Sequence, residues 1–419
     1  MKSSDSRGLL FSFCGALLPS KSIFNRALII QSFSKQLRLI GQSQADDVAR
    51  LRVALSQMGV SPHDYDAGDG GTTLRFFALR ISRNTGCHRI AISPSLGRRP
   101  NSELIEILTQ LGVQSKWDGG GLEIRSEGWK IPSSGLEIGG ELSSQFLSAA
   151  LLSAWQLSET LVVKSRGTLV SRGYLDLTCS LLAECGMKFE VTQDSSNRLQ
   201  ITIAPHQVPL LRELVIEPDL SSAFSVAALA AVGGRADLLN WPRDSRQPDR
   251  VFPDLLRQMG CETFLTPGPD SKICIDNSQR APLKALEADL SHAPDLFPVL
   301  ASLCALASGK SRLYGAHQLR HKESDRIAAV NKLLRSCHVP TREISGGLEI
   351  SGTNRFEELR RTDPSFQLRF DPEDDHRMAM AAGVLKLVLP GLEVAHPEVV
   401  TKSFPNYWSL WRDGQSGAI

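Results

Sequence analysis

Residues 219–224 read Asp219-Leu220-Ser221-Ser222-Ala223-Phe224 and open an Ala/Leu-rich run; residues 141–146, Glu141-Leu142-Ser143-Ser144-Gln145-Phe146, open another of the same kind. An acidic-Leu-Ser head before such a run is the pattern of an N-cap leading into a buried helix, with Ser221 and Ser222 as the capping hydroxyls. Asp289-Leu290-Ser291-His292 begins a third copy. Diverged equivalents are Gly68-Asp69-Gly70-Gly71-Thr72-Thr73-Leu74-Arg75 and Asp374-Asp375-His376-Arg377-Met378. The tract Leu17-Leu-Pro-Ser-Lys-Ser-Ile-Phe-Asn-Arg-Ala-Leu28 is a sixth helix start and puts Lys21, Ser22 and Arg26 at its mouth. If the units share a handedness and pack around a pseudo-threefold axis, six positive helix ends can converge on one cleft.

A second repeat marks helix ends. Leu55-x-x-Met58-Gly59, Leu108-x-x-Leu111-Gly112, Leu182-x-x-Cys185-Gly186, Leu256-x-x-Met259-Gly260 and Leu334-x-x-Cys337-His338 each read as the last turn of an amphipathic helix. Gly in the left-handed cap position stops the helix, and the fifth copy puts His338 there. These caps are too widely spaced for a solenoid, so each unit holds several strands and two helices. Strand-like runs at 89–92, 161–164, 199–203, 214–216 and 273–275 alternate with the helices, giving an α/β class. At 419 residues, two domains are the natural expectation, with a crossing near Ile216 to Asp219.

The charge is balanced: 47 Lys+Arg against 45 Asp+Glu leaves +2, and aromatics are 6% of residues. That excludes the one-sided basic face and stacking surface of a nucleic-acid binder. The eight cysteines show no zinc spacing or C-x-x-C pair, which points to a reduced, cytoplasmic protein. The run Leu9 to Leu18 follows Lys2 and Arg7 but lacks a cleavage site, so it reads as a first strand rather than a secretion signal. No stretch has the apolar length to span a bilayer. Anion binding must come from local clusters, and five basic tracts supply them: Lys21-Ser22, Arg98-Arg99, Lys322-Glu323-Ser324-Asp325-Arg326, His376-Arg377 and Lys402.

In order and spacing these tracts resemble the 5-enolpyruvylshikimate-3-phosphate (EPSP) synthase family of enolpyruvyl transferases, from about Leu18 to Tyr407. The resemblance implies two similar domains, each of three βαβαββ-type units in an inside-out α/β barrel, with the active site in the interdomain cleft. Their expected extents are 19–217, and 1–18 with 218–419. It implies transfer of the enolpyruvyl group of phosphoenolpyruvate to the 5-hydroxyl of shikimate 3-phosphate by a cytoplasmic monomer, with no metal or organic cofactor and no nucleic-acid or membrane partner. Shikimate 3-phosphate would meet Lys21, Ser22, Arg26, Ser143, Ser144, Gln145, Ser171, Tyr174, Asp295, Gln318 and Lys322. Phosphoenolpyruvate would meet Lys21, Asp69, Gly71, Arg99, Gln145, Arg326, Arg377 and Lys402. Here Lys21 and Arg99 take the phosphate, and Arg326, Arg377 and Lys402 clamp the carboxylate. Lys21, Asp295 and Glu323 would share the proton transfers, and His376 would orient Arg377.

The chain departs from the family pattern in places. The usual Pro-Gly-Ser-Lys-Ser is Pro19-Ser20-Lys21-Ser22; Asp69, Gln318 and Asp374 each stand where Asn is common; and Phe24 replaces a small residue. Asp69 brings a carboxylate toward a bound phosphate, which is repulsive unless Arg75, Arg99 or a proton offsets it. The rival readings are UDP-N-acetylglucosamine enolpyruvyl transferase and a non-catalytic anion-binding relative. The first uses Lys-Asn at the opening motif and a loop cysteine, whereas this chain has Lys21-Ser22, and Cys87 lies at a strand. The second needs neither Asp295 nor Glu323.

Overall fold

The computed structural model describes residues 10–60, 64–195, 198–268, 271–353 and 366–416. The chain divides into two compact units. One runs from Pro19 to Glu217 and takes in Arg246–Pro248; the other holds the described residues up to Leu18, Pro218–Ser245 and those from Asp249 onward. Each has its own apolar core, one around Phe24, Phe76, Phe146 and Trp155, the other around Phe224, Phe252, Phe297 and Phe404.

Three inner helices fill the centre of each unit. In the 19–217 unit they are Lys21–Gln31, Gly71–Ile81 and Gln145–Leu152, and nearly every residue of each is buried. In the other unit they are Leu220–Gly233, Phe297–Leu306 and His376–Lys386. A helix apolar on all sides must be surrounded by protein. Burying one of their Leu or Phe side chains contributes about 1.5–3 kcal/mol, so the Ala/Leu-rich runs dictate the arrangement. Around them lie helices with one buried stripe, such as Asp46–Ser56, where Asp47, Val48, Leu51 and Ala54 face inward.

In the 19–217 unit the inner helices run the same way. Near their starts Arg75 donates to the Gln145 side chain. At their ends Arg80 donates to Ser32, and Arg83 to the Ser153 and Trp155 carbonyls.

Each inner helix belongs to a parallel strand pair. Asp64–Gly68 pairs with Gly86–Ile92, Leu136–Gly139 with Leu161–Arg166, and Glu287–Asp289 with Gly309–Tyr314, each with an inner helix between. Two antiparallel strands extend each of these sheets, as Gly121–Ser126 and Gln114–Trp117 do for the first. Two repeats are completed from far away in sequence. Glu213–Val215 lies parallel to Arg38–Ile40, and Phe11–Ala16 lies parallel to Gly234–Leu239. Among the described residues, the sheet containing Arg38–Ile40 and the one joining Leu368–Phe370 to Leu392–Val394 stop at the parallel pair. The expected first strand, Leu9 to Leu18, is thus Phe11–Ala16; Leu9 and the residues before it lie outside the described residues.

The helix stops read from the sequence are where the backbone turns left-handed: Gly59, Gly112, Gly186 and Gly260 have φ of +84°, +72°, +96° and +92°, and His338 has φ +60°. The starts differ more. Asp219, not Ser221 or Ser222, caps Leu220–Gly233, its carboxylate accepting from the Ser222 N–H at 2.8 Å. Ser221 is therefore one turn position further in, with its hydroxyl free of capping. Asp289 closes a strand and accepts from the Ser291 N–H rather than capping a helix. No helix among the described residues is long and apolar enough to cross a membrane.

Candidate active site

In the 19–217 unit, three helix starts bring the expected residues together. Lys21 is the first residue of its helix, and its ammonium lies 3.0 Å from Asp47, with the two side chains 14% and 5% exposed. Asp47 reaches the second helix start: its carbonyl accepts from Thr73, and a Cβ on Gly70 would come within 2.9 Å of its carboxylate. Gly71 comes next. A Cβ there would stand 2.9 Å from the Arg99 guanidinium, so the missing side chain is what lets Arg99 lie against the helix N-terminus. Cations and free N–H groups at a helix start attract anions.

The third helix start is tied in by Arg75. Its buried guanidinium stacks over the Phe146 ring at 4.6 Å, bonds the Pro100 carbonyl and Asn101, and donates to Gln145 Oε1 at 2.7 Å. With Oε1 held as acceptor, the N–H₂ of the Gln145 amide is its donor end. Ser143 accepts from the Gln145 N–H, and Ser144 sits at the cap position without a side-chain capping bond, so both hydroxyls keep donor capacity. Asp69 accepts a hydrogen bond from the Ser93 hydroxyl.

Arg26 lies deeper. Its guanidinium donates to Thr178 at 2.7 Å, to the Ser22 carbonyl at 2.7 Å and to the Tyr174 carbonyl at 3.1 Å. Burial pulls its pKa down to about 10, while Tyr174 and Cys179 act the other way. Arg26 thus fixes Ser22 and Tyr174 relative to each other. Ser171 precedes the Tyr174 helix at φ +53°, a conformation that costs a non-glycine residue about 1–2 kcal/mol.

In the other unit an ion-pair cluster holds the remaining residues. Arg326 is buried and donates to three carboxylates: Asp375 at 2.8 Å, Asp295 at 3.0 Å and Glu323 at 3.0 Å. Burial favours its neutral form, but the charges of Asp375, Glu323 and Asp295 outweigh that and drive its pKa up. Arg377 donates to Asp295 Oδ2 at 2.8 Å and to the Asp295 carbonyl at 3.1 Å. Lys402 pairs with Glu323 at 3.0 Å, and Lys322 lies 4.0 Å from Asp295. Gln318 is buried beside the Ser291 carbonyl. Among the described residues the cluster thus joins the cations Lys322, Arg326, Arg377 and Lys402 to the carboxylates Asp295, Glu323 and Asp375. Such cations suit an incoming anion.

A family model described as EPSP synthase (3-phosphoshikimate 1-carboxyvinyltransferase) matches residues 35–411. The chain belongs to the EPSP synthase family. It is 32% identical over 418 residues to the 3-phosphoshikimate 1-carboxyvinyltransferase of Syntrophobacter fumaroxidans, covering 94% of both chains. Identity to the Shewanella halifaxensis protein of the same name is 29%, covering 93% of this chain and 94% of the relative. Its fold is that of EPSP synthase from Acinetobacter baumannii, with TM-score 0.72 at 20% identity over 97% of this chain and 96% of the other. The enolpyruvyl transferase NikO from Streptomyces tendae superposes at TM-score 0.67, with 15% identity over 99% and 96%.

Against the EPSP synthase pattern, three residues emerge that sequence reasoning passed over. Asp47 pairs with Lys21 and was visible only as one of two acidic residues in a helix first turn. Asp375 caps the His376 helix by accepting from the Arg377 N–H at 3.0 Å and also binds Arg326. His376, expected to orient Arg377, is buried beside Asp375. Asp249 bonds Ser221, and Ser221 in turn accepts from Arg377 at 3.2 Å. Cys87 lies exposed in the strand Gly86–Ile92.

Proposed function

We propose that the protein is a 3-phosphoshikimate 1-carboxyvinyltransferase, with the Lys21–Arg99–Gln145 cluster and the Asp295–Glu323–Arg377 cluster serving one pair of substrates. Family membership supports the reaction. The observation that carries the assignment of roles is that Asp295 and Glu323 pair with Arg326, Arg377 and Lys402, the donors an anionic substrate needs.

Lys21 and Arg99 hold the phosphate of phosphoenolpyruvate, and Arg326, Arg377 and Lys402 take its carboxylate. Arrival of that carboxylate draws Arg377 away from Asp295 and Lys402 away from Glu323. Losing a cation raises a carboxylate's proton affinity, so substrate binding itself makes Asp295 a competent base and lets Glu323 take up a proton from solvent. Asp295 then accepts the proton of the 5-hydroxyl as its oxygen bonds to C2, while Glu323 delivers a proton to C3. The tetrahedral adduct expels phosphate, which takes the proton from Asp295, as C3 returns a proton to Glu323, restoring the double bond. Ser22, Ser143, Ser144, Ser171 and Lys322 bind the sugar phosphate, with Gln145 and Tyr174 against the ring and Gln318 beside it. The eight free cysteines support a reducing, cytoplasmic setting, and the monomer is taken as the working form.

Phosphate release from phosphoenolpyruvate tests this, with shikimate 3-phosphate and UDP-N-acetylglucosamine offered in parallel. Release with the first alone is expected. Release with the second alone assigns the other transferase activity, and release with neither leaves an anion-binding protein.

A further inference from the structure

We propose that Asp249 is a positioning residue for the phosphoenolpyruvate carboxylate, holding Arg377 in place through the Ser221 hydroxyl. This rests on the enolpyruvyl transfer proposed above. Ser221 Oγ joins two partners: it bonds Asp249 Oδ2 and accepts from Arg377 Nη2 at 3.2 Å, the same nitrogen that donates to Asp295 at 2.8 Å. A line of contacts therefore runs Asp249–Ser221–Arg377–Asp295. Ser221 is available for it because Asp219 does the capping.

Asp249 is 2% exposed, and its second oxygen, Oδ1, meets no donor among the described residues. A buried oxygen without a donor penalises a carboxylate far more than a neutral acid. The charged groups facing it are Asp295, Arg377 and Asp219. Burial, aided by Asp295 and Asp219, pushes the Asp249 carboxyl up to about 7, against Arg377 and the Ser221 hydroxyl. The proton matters to the charge balance. An ionised Asp249 adds a negative charge beside Arg377 and Asp295, and a neutral one does not. Binding an anion to Arg377 and protonating Asp249 thus favour each other.

Steady-state phosphate release from about pH 6 to about pH 9 separates these effects when wild type, Asp249→Asn and Ser221→Ala are compared. Above about pH 7 the wild-type Michaelis constant for phosphoenolpyruvate is expected to rise several-fold while kcat moves less; in Asp249→Asn that rise disappears. Ser221→Ala is expected to raise the constant about tenfold at every pH and to keep the alkaline rise. An Asp249→Asn curve that tracks wild type, or a Ser221→Ala constant within about twofold of it, overturns the proposal. Infrared difference spectra of the substrate-free protein supply a readout independent of turnover. A protonated-carboxyl band at about pH 6 that vanishes in Asp249→Asn is expected, and a band unchanged by the substitution counts against Asp249. An inactive wild type with that band intact sinks the proposed reaction, and with it the positioning role, and leaves only the proton on Asp249 standing.

Discussion

Asp69 shows how a single side chain tunes a site whose outline the family sets. It stands at the glycine-rich start of an inner helix and accepts a hydrogen bond from the Ser93 hydroxyl. A carboxylate there repels a phosphate bound at the same helix end, with partial screening because Asp69 is exposed. Asp69→Asn should lower the Michaelis constant for phosphoenolpyruvate several-fold in steady-state kinetics; an unchanged or higher constant would show that this carboxylate is not felt. Asp249 makes a thermodynamic prediction as well. Its folded-state pKa, raised by burial to about 7, lies above the ordinary carboxylate value, so the native state holds a proton that the unfolded chain gives up. The stability this contributes is full below about pH 4 and is lost as pH rises toward about 7, at no more than about 1.4 kcal/mol per pH unit. Denaturant titrations should therefore find Asp249→Asn gaining on wild type across that window and level above it; a constant difference would refute the proton assignment. The charged motifs were readable in the sequence because Lys21, Arg99, Arg326, Arg377 and Lys402 each sit in a distinctive local context. Asp47 and Asp249 were not, because their importance lies in which distant residue they face.

At the scale of elements, local chemistry was the most legible. The five Leu-x-x-x-Gly/His endings all fall where φ is positive, since a helix that stops this way needs a left-handed residue whatever surrounds it. His338 occupies that conformation with a side chain that glycine lacks, partly offset by its edge contact with Phe366 at 6.1 Å. His338→Gly should raise stability by up to about 1 kcal/mol in thermal or chemical unfolding; a loss would mean that the ring contact outweighs the backbone strain. Helix starts were harder. Asp219 and Ser221 compete for one capping position two residues apart, and hydrogen-bond geometry decides in favour of Asp219. The pairing of Glu213–Val215 with Arg38–Ile40 was hidden for a different reason. Strand partners that meet across most of a unit's sequence leave no periodic trace in either segment.

For the whole molecule, repeats announced the architecture and family resemblance gave it connectivity. Six inner helices follow from six buried runs, but nothing in those runs says that a strand at 11–16 completes the repeat containing 220–239. The two apolar cores fit the expectation that a chain of 419 residues exceeds what one core supports. Function is legible at this scale because anion recognition needs many cations from separate segments, and segments fixed on rigid helix starts hold them in register. The carboxylates are informative for the same reason: Asp295 and Glu323 lie among the cations, and the proposed reaction has them carry protons. Running the reaction in D₂O with phosphoenolpyruvate and shikimate 3-phosphate follows those protons directly. The account predicts deuterium in the methylene group of the enolpyruvyl product, because C3 gains and then loses a proton; an unlabelled methylene in a product formed at normal yield would contradict it.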